Sequence, residues 1–486
     1  MRILFATSEI APWQKTGGLG DISAALPAAL HAAGIDVRVL LPGYPVLLAA
    51  FPQARLLAEL PSPGAVLPAA RLLQAQTGEG LTLWLIDCPS LYARGGGPYQ
   101  TPDGANWPDN HLRFGLLSRL AAWLGSEHSP LPWRADLLHC NDWQTGLAPA
   151  YLHYAHASRL PAVMTIHNLA FQGLFPPGLL SQLGLPAQAF QPAGVEFYGH
   201  LSFLKAGLQF ARQITTVSPS YAREIQRPEL GFGLDGLLAW RSADVTGILN
   251  GVDSAWDPAN DAHLARRFDV RRLRDKAENR RALQAELGLP GAAAEPLLAV
   301  VSRLTHQKGM DLVLAAADEF LAPTAEPRAQ LVVLGHGEAV FEQGFRRLAA
   351  RYPGRVAALI DFNERMAHRI EAGADIFLMP SRFEPCGLNQ LYSLRYGTPP
   401  VVHATGGLAD TVVDCSAQTL AAGSANGFSF AVADTASFAA ALRRAIATWH
   451  DEKTWRRLQR TGMNADYSWS KAAAAYVAVY RRALGQ

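Results

Sequence analysis

Two basic side chains in one short loop carry the clearest chemical signal in this 486-residue sequence. Residues 302–309 read Ser-Arg-Leu-Thr-His-Gln-Lys-Gly and follow an apolar run that predicts a buried strand over residues 297–301. The Arg303 guanidinium can donate two hydrogen bonds to phosphate oxygens, and the Lys308 ammonium can neutralise another oxygen. The loop therefore predicts a site for a diphosphate leaving group, against the alternative of two solvated side chains.

A second polar loop, residues 381–390, follows a predicted strand over residues 376–379. Because proline suits the first turn of a helix, Pro385 predicts a helix that begins there with Glu384 at its N-cap. The Glu384 carboxylate could orient sugar hydroxyl groups; helix capping is its alternative role, and the two can coexist. The stretch Thr405-Gly406-Gly407 repeats the pattern and predicts another set of free backbone N–H groups.

A glycine-rich loop near the start of the chain reads Lys15-Thr16-Gly17-Gly18-Leu19-Gly20-Asp21. It lies between a predicted strand over residues 3–7 and a predicted helix over residues 21–33. Backbone N–H groups at a helix entrance can bind an anion, and Lys15 would add a full positive charge. A tight strand-to-helix loop with Asp21 as N-cap is the alternative. The spacing matches neither the P-loop nor the dinucleotide-binding pattern.

Two further polar stretches, His139-Cys140-Asn141-Asp142-Trp143 and Thr165-Ile166-His167-Asn168, also follow predicted strands, over residues 137–140 and 163–166. A lone histidine is more often structural than catalytic, and neither stretch has zinc-ligand spacing. The sequence therefore predicts no metal site. Hydrolase motifs are not distinguishable above chance either.

These loops require parallel sheets to position them, and the sequence alternates short apolar runs with helical patterns almost throughout. Further strands are predicted over residues 37–41, 214–217, 331–334, 356–360 and 401–402, and further helices over residues 310–320 and 367–372. A second series of alternating strand and helix patterns begins after residue 250, so the sequence predicts two doubly wound α/β domains. Such chains place ligands at the carboxyl ends of strands, in the crevice between domains.

The near-zero net charge argues against partners that are bound through bulk charge. The chain has 43 Lys and Arg against 41 Asp and Glu, a formal charge of +2, which argues against nucleic acid or an anionic membrane surface. Only six of the 43 basic residues are lysines. The four cysteines form no C-x-x-C pair, and no signal peptide or membrane span is evident, so we expect a cytoplasmic protein.

Taken together, the polar stretches resemble bacterial glycogen synthases and the related plant starch synthases, which are retaining glycosyltransferases of the GT-B fold. The matching stretches run in order along nearly the whole chain: residues 15–21, 142–143, 165–168, 197–199, 202–207, 216–219, 250–253, 302–304, 307–309, 381–388 and 405–410. The resemblance implies two Rossmann-like domains facing a central cleft. It places the acceptor-side domain at residues 1–248, the nucleotide-sugar domain at 249–465, and a helix crossing back to the first domain at 466–486.

The resemblance also implies an activity: transfer of glucose from ADP-glucose to the non-reducing end of an α-1,4-glucan, with retention of configuration and no cofactor. Arg303 and Lys308 would hold the diphosphate, and Lys15 with the Gly17 and Gly18 backbone would meet it from the other domain. The donor glucose would be bound by a set of side-chain and backbone groups, namely Glu384, His167 and the N–H groups of Cys386, Gly387 and Leu388. Other implied substrate contacts are Asp21, Tyr99, Asp142, Asn168, Asn250, Phe362, Thr405, Gly406 and Gly407.

Two positions depart from the family pattern. Relatives often have histidines around Asp142, where this chain has Asn141 and Gln144, so any role of those imidazoles does not transfer. Relatives commonly have tyrosine at Phe362, where stacking on adenine could persist without a hydroxyl contact. The alternatives left open are a UDP-sugar-dependent retaining transferase of the same fold and a non-catalytic nucleotide-sugar or glucan-binding protein.

Overall fold

The predicted alternation of strands and helices forms two parallel-sheet units in the computed structural model, which describes residues 1–64, 66–291 and 294–486. The first unit comprises Met1–Gly251 and Trp469–Gln486, and the second comprises Val252–Ser468. The prediction of two Rossmann-like α/β domains is confirmed.

The first unit is built on a nine-stranded sheet with the order β12-β11-β7-β6-β1-β2-β5-β4-β3. The strands of this sheet are β1 Arg2–Ala6, β2 Asp36–Pro42, β3 Arg55–Leu60, β4 Ala70–Gln76, β5 Thr82–Asp87, β6 Leu137–Asn141, β7 Ala162–Ile166, β11 Gln213–Thr216 and β12 Val245–Gly247. A separate three-stranded sheet, of order β8-β10-β9, consists of β8 Leu174–Phe175, β9 Glu196–Phe197 and β10 His200–Ser202. The helices are α1 Gly18–Ala32, α2 Pro45–Ala50, α3 Pro89–Tyr92, α4 Asn110–Gly125, α5 Leu147–Tyr154, α6 Phe203–Phe210, α7 Pro219–Glu224, α8 Pro228–Gly231 and α9 Asp235–Trp240.

Seven strands of the large sheet are parallel, and only the edge strands β3 and β4 run antiparallel, joined to β5. The sequence analysis did not predict this antiparallel edge. The central strand β1 is completely buried from Ile3 to Ala6, because helices cover both faces of the sheet. Its apolar run is therefore continuous rather than alternating.

The second unit has a six-stranded, fully parallel sheet with the order β15-β14-β13-β16-β17-β18. Its strands are β13 Leu297–Val301, β14 Gln330–Leu334, β15 Val356–Leu359, β16 Ile376–Met379, β17 Pro400–His403 and β18 Phe428–Phe430. Its helices are α10 Lys276–Glu286, α11 Met310–Leu321, α12 Ala339–Arg351, α13 Glu364–Gly373, α14 Asn389–Arg395, α15 Gly406–Thr411, α16 Ala417–Ala422, α17 Thr435–Trp449 and α18 Glu452–Asn464. Apolar side chains fill both sides of this sheet.

The strand order of each sheet reverses beside its first strand. In the first unit β1 lies between β2 and β6, and in the second unit β13 lies between β14 and β16. Loops that leave the carboxyl ends of two such strands diverge to opposite faces of the sheet and open a crevice for a ligand. Four of the six polar stretches singled out from the sequence follow β1, β6, β13 and β16, and the other two follow β7 and β17.

The last helix, α19 Trp469–Leu484, belongs to the first unit and packs against α1. The Tyr480 hydroxyl lies 2.7 Å from His139 Nδ1, and His139 Nε2 lies 2.6 Å from Thr165 Oγ1. Burial lowers the pKa of His139 to about 3, so the ring is neutral. The helix thus closes a polar chain inside the core of the first unit. None of the helices in the described ranges is long and apolar enough to cross a membrane.

Tyr480→Phe tests this closure. Removing the hydroxyl leaves a buried imidazole nitrogen without its partner, which typically costs about 1–3 kcal/mol. We expect a loss of that size in the free energy of unfolding, measured by urea denaturation. Tyr154→Phe is the matched control, since no hydrogen bond of its hydroxyl occurs among the described residues, and equal losses in the two variants would contradict the assignment.

Candidate functional site

The loops after β13 and β16 bring together the basic and acidic side chains predicted for the second unit. Lys308 Nζ lies 2.5 Å from Glu384 Oε2, and the Ser381 hydroxyl donates to the same oxygen at 2.9 Å. Both members of the ion pair are largely buried, with side-chain exposures of 15% and 7%. Glu384 Oε1 makes no hydrogen bond to any residue that the structure describes. One carboxylate oxygen is therefore fixed and the other remains available to a ligand.

A cavity of about 150 Å³ opens at this pair. Its lining includes Ser302, Arg303 and Asn389 as well as the ion pair. Arg303 is exposed, and its guanidinium has no hydrogen-bond partner among the described residues. The cavity thus presents the five N–H donors of Arg303, none of them bonded to a described residue, beside Lys308, which is already paired with Glu384.

Side-chain contacts tie the two loops to each other. Arg382 makes a bidentate ion pair with Asp311, at 2.8 and 2.7 Å, and its backbone N–H donates to the Gln307 carbonyl at 2.8 Å. Gly309 has φ of +72°, and a Cβ built there would lie 2.1 Å from the Pro380 carbonyl oxygen. Only glycine allows the loop of Lys308 to approach the loop of Glu384 this closely.

The prediction that Pro385 begins a helix capped by Glu384 is wrong. The helix α14 begins at Asn389, and residues 384–388 form an irregular loop. Gly387, at φ +73°, turns the chain away from a helical path, and the Gln390 amide donates to the carbonyls of Cys386 and Gly387 at 2.9 and 3.1 Å. Glu384 is therefore held by its ion pair rather than by a capping bond. The backbone of Cys386, Gly387 and Leu388 precedes the helix instead of forming its first turn.

The Thr405-Gly406-Gly407 turn supports this loop. The Gly407 N–H donates to the carbonyls of Glu384 and Pro385 at 3.1 and 3.2 Å, so the prediction that it is free is wrong. A Cβ on Gly406 would lie 2.0 Å from the Glu384 carbonyl oxygen. The two glycines permit close packing against residues 384–386. Phe362, by contrast, is 68% exposed in the loop that follows β15, so its ring is available for stacking.

In the first unit, the glycine-rich stretch follows β1, but α1 begins at Gly18, three residues before the predicted start at Asp21, so Gly18–Asp21 form its first turn and Asp21 is not the N-cap. Lys15 Nζ pairs with Asp21 Oδ1 at 2.7 Å, with both side chains about one-third exposed. Gly17 is the N-cap of α1, and no side chain of the described residues caps the helix there. The backbone N–H groups of Gly18 and Leu19 therefore have no side-chain cap among the described residues, and they carry the partial positive charge of the helix N-terminus.

Glu9 anchors this loop and is the residue that the sequence analysis missed. It accepts hydrogen bonds from the Thr16 N–H and hydroxyl, at 2.6 and 2.7 Å, and from the Tyr99 hydroxyl. Tyr99 also bonds Ser8 at 2.8 Å, so its hydroxyl is engaged within the protein. Burial raises the pKa of Glu9. The signal was available, because Glu9 lies just past the end of β1.

Asp142 lies beyond β6 with φ of +52°, an uncommon conformation for a residue with a side chain. Its Oδ1 accepts from the His167 N–H at 2.7 Å, and it also faces the Asn168 N–H at 3.5 Å. Burial raises the pKa of Asp142 to about 7. This carboxylate therefore holds the loop that carries His167.

His167 is 9% exposed, and burial lowers its pKa to about 3. Its Nε2 lies 2.9 Å from Asn141 Oδ1, and its Nδ1 has no partner among the described residues. Asn250 is likewise buried, with an unpartnered Oδ1 in the described parts of the chain. The Asn168 side chain instead accepts from the Ala170 N–H at 3.1 Å, which forms a local turn.

Two of the six lysines have structural roles. Lys205 Nζ donates to the carbonyls of Pro192 and Gly194, which ties down the loop before β9. Lys276 Nζ donates to the Glu371 and Ala372 carbonyls at 3.0 and 2.8 Å. Within the described ranges, no group of three or more His, Cys, Asp or Glu side chains is placed to hold a metal ion.

Comparison with known proteins gives matches along the whole chain. Residues 2–240 match the family described as the starch synthase catalytic domain, and residues 289–462 match glycosyl transferases group 1. Glycogen synthases from Dechloromonas aromatica and Nitrosospira multiformis are 57% and 52% identical over all of this chain and 99% and 97% of their own lengths.

Solved structures agree. The catalytic domain of Starch Synthase IV from Arabidopsis thaliana, bound to ADP and acarbose, superposes with a TM-score of 0.88 at 32% identity over 100% of this chain and 99% of that one. Sucrose-phosphate synthase from Thermosynechococcus elongatus covers the same shares at 18% identity and a TM-score of 0.61, a likeness of fold alone.

Asp142→Asn tests the buried carboxylate through stability. Aspartates in an unfolded chain titrate near pH 4, whereas Asp142 holds its proton to about pH 7. Since the folded state binds the proton more tightly, its stability falls as pH rises from about 4 to 7. The amide keeps the Oδ1 acceptor and carries no charge, so we expect Asp142→Asn to be more stable than the parent at pH 8, by at most about 4 kcal/mol, and equal to it near pH 4.

Thermal midpoints measured across this pH range check the prediction. Asp253→Asn, at an exposed loop position, is the control and should keep the parental profile. A difference between Asp142→Asn and the parent that does not change with pH would count against the assignment.

Proposed function

The chain belongs to the glycogen synthase family of glycosyltransferases, and we propose that it transfers glucose from ADP-glucose to the non-reducing end of an α-1,4-glucan with retention of configuration. The observation that carries the proposal is the cavity in which Arg303 and Lys308 lie beside Glu384, at the reversal of the second sheet. ADP bound to a starch synthase of the same fold supports a nucleoside diphosphate as the leaving group.

In the second unit, Arg303 and Lys308 hold the diphosphate. When the bond from glucose C1 to the β-phosphate oxygen breaks, negative charge grows on that oxygen, and two nearby cations stabilise it. Glu384, fixed through one oxygen, presents the other to the hydroxyls of the donor glucose. The backbone of Cys386, Gly387 and Leu388 contributes N–H donors to the same sugar, and the exposed ring of Phe362 stacks on the adenine.

In the first unit, Lys15 and the Gly17 and Gly18 backbone bind phosphate at the start of α1. His167 contacts the donor glucose. The other substrate contacts proposed here are Asp21, Asp142, Asn168 and Asn250, with Tyr99 acting through Glu9 rather than directly.

The chemistry needs neither a metal ion nor a cofactor in this proposal. A new bond forms from glucose C1 to the acceptor hydroxyl oxygen on the face that the phosphate leaves, and the departing phosphate takes the hydroxyl proton. Glu384 shares its fixed oxygen with an ammonium and a hydroxyl, an arrangement that suits it to orienting sugar hydroxyls rather than attacking C1. The proposed location is the cytoplasm, where donor and glucan would meet the enzyme.

Release of ADP from ADP-glucose, measured with and without a glucan primer, tests the activity. We expect release that depends on the primer and elongates it. Release of UDP from UDP-glucose at a higher rate would favour the UDP-sugar transferase, and donor binding without release would favour the non-catalytic protein.

Arg303→Ala and Lys308→Ala test the diphosphate site. Loss of one strong electrostatic donor to a developing charge typically costs about two to three orders of magnitude in turnover, and we expect that loss in each variant by steady-state ADP release. Arg460→Ala and Lys453→Ala, at exposed positions outside the cavity, are the matched controls and should retain parental rates. Parental turnover in a folded Arg303→Ala variant would overturn the assignment.

A further inference from the structure

Asn141, the last residue of β6, uses both ends of its side-chain amide. Its Nδ2 donates to the Ala6 carbonyl oxygen at 3.0 Å, and its Oδ1 lies 2.9 Å from His167 Nε2. The residue is completely buried between two strands of the sheet. Neither contact can therefore be exchanged for one with water.

The Ala6 carbonyl determines which way the amide points. A carbonyl oxygen only accepts hydrogen bonds, so the NH₂ group of Asn141 must face it, and the Oδ1 atom must face His167. Because Oδ1 also only accepts, His167 Nε2 must carry the proton. In a neutral imidazole the other nitrogen is then a bare acceptor.

That bare nitrogen has nothing to accept from. His167 Nδ1 makes no hydrogen bond to any described residue, although the ring is nine-tenths buried. A buried acceptor without a donor costs free energy that a ligand hydroxyl would recover. The backbone of the same residue is fixed separately, by its N–H bond to Asp142.

We propose that Asn141 is a positioning residue that fixes His167 in the Nε2–H tautomer, so that Nδ1 accepts a hydrogen bond from a hydroxyl of the bound sugar. The identity of that sugar as the donor glucose rests on the proposed function; the tautomer does not. His167 thereby acts as an acceptor toward the sugar and not as a proton donor.

Nitrogen-15 NMR of the histidine rings in the full-length protein, without any sugar, tests the tautomer directly. The His167 signals are identified by their loss in His167→Gln. We expect a protonated Nε2 and a bare Nδ1 in the parent, and a mixture of tautomers in Asn141→Leu. A proton on Nδ1 in the parent would overturn the proposal even if no Asn141 variant folds.

Turnover of the two single variants and the double variant tests the coupling. We expect Asn141→Leu to lower kcat about tenfold, the effect of one hydrogen bond, and to add nothing further in a His167→Gln background. Losses that multiply in the double variant would show that Asn141 does not act through His167.

Asn279→Leu is the matched control. Asn279 is another buried asparagine with both amide ends bonded, to the Arg266 N–H and carbonyl, in the second unit. It should leave the His167 tautomer unchanged, which separates a specific effect from the general loss of a buried amide. If the tautomer is as expected but ADP-glucose is not turned over, the proposed function fails and the tautomer assignment stands.

Discussion

The reversal of strand order beside the first strand of each sheet is the constraint on which the polar contacts after β1, β6, β13 and β16 depend. At that point consecutive loops leave toward opposite faces, so polar groups can meet a ligand without covering the ends of the strands. In the second unit the reversal sets Lys308, after β13, against Glu384, after β16. In the first unit it sets Glu9, after β1, near the loop of Asp142, after β6. Because these loops follow buried strands, the carboxylates of Glu9, Asp142 and Glu384 are largely shielded from water.

The scarce lysines divide according to what they face. Lys205 and Lys276 donate to backbone carbonyls and hold loops in place, whereas Lys15 and Lys308 pair with carboxylates in loops at strand ends. A buried ion pair gains little net stability, because desolvation offsets the Coulomb attraction. The Lys308–Glu384 pair is therefore better explained by its effect on a ligand than by stability. It neutralises the two charges and fixes the ammonium and the carboxylate in positions where a charged ligand can share them.

The sequence predicted the strands well, because a strand buried on both faces needs a continuous apolar run. Predicted residues 297–301 and 376–379 coincide with β13 and β16. It failed where conformation depends on contacts distant in sequence. Pro385 indicated a helix, but the positive φ of Gly387 and the close packing of residues 384–386 against Gly406 and Gly407 hold this segment in a loop. The contacts of Glu9 and Asn141 had no local pattern, since their partners lie seven to 135 residues away, although the position of Glu9 just past β1 was a usable signal. The strands β3 and β4 were missed because their half-exposed residues form no such run, and the buried strand β5 was missed as well.

The polar groups that the protein leaves unsatisfied define what its ligand must supply. Arg303 lacks an acceptor, while His167 Nδ1, Asn250 Oδ1 and Glu384 Oε1 lack donors within the described residues. For the two buried atoms, His167 Nδ1 and Asn250 Oδ1, a missing partner typically costs about 1–3 kcal/mol, so a ligand that lacks the matching hydroxyl leaves that cost unrecovered. Sites built in this way reject analogues that lack a hydroxyl more strongly than analogues that merely add a carbon. Discrimination among sugars in this protein should therefore follow the missing hydroxyl rather than the size of the sugar.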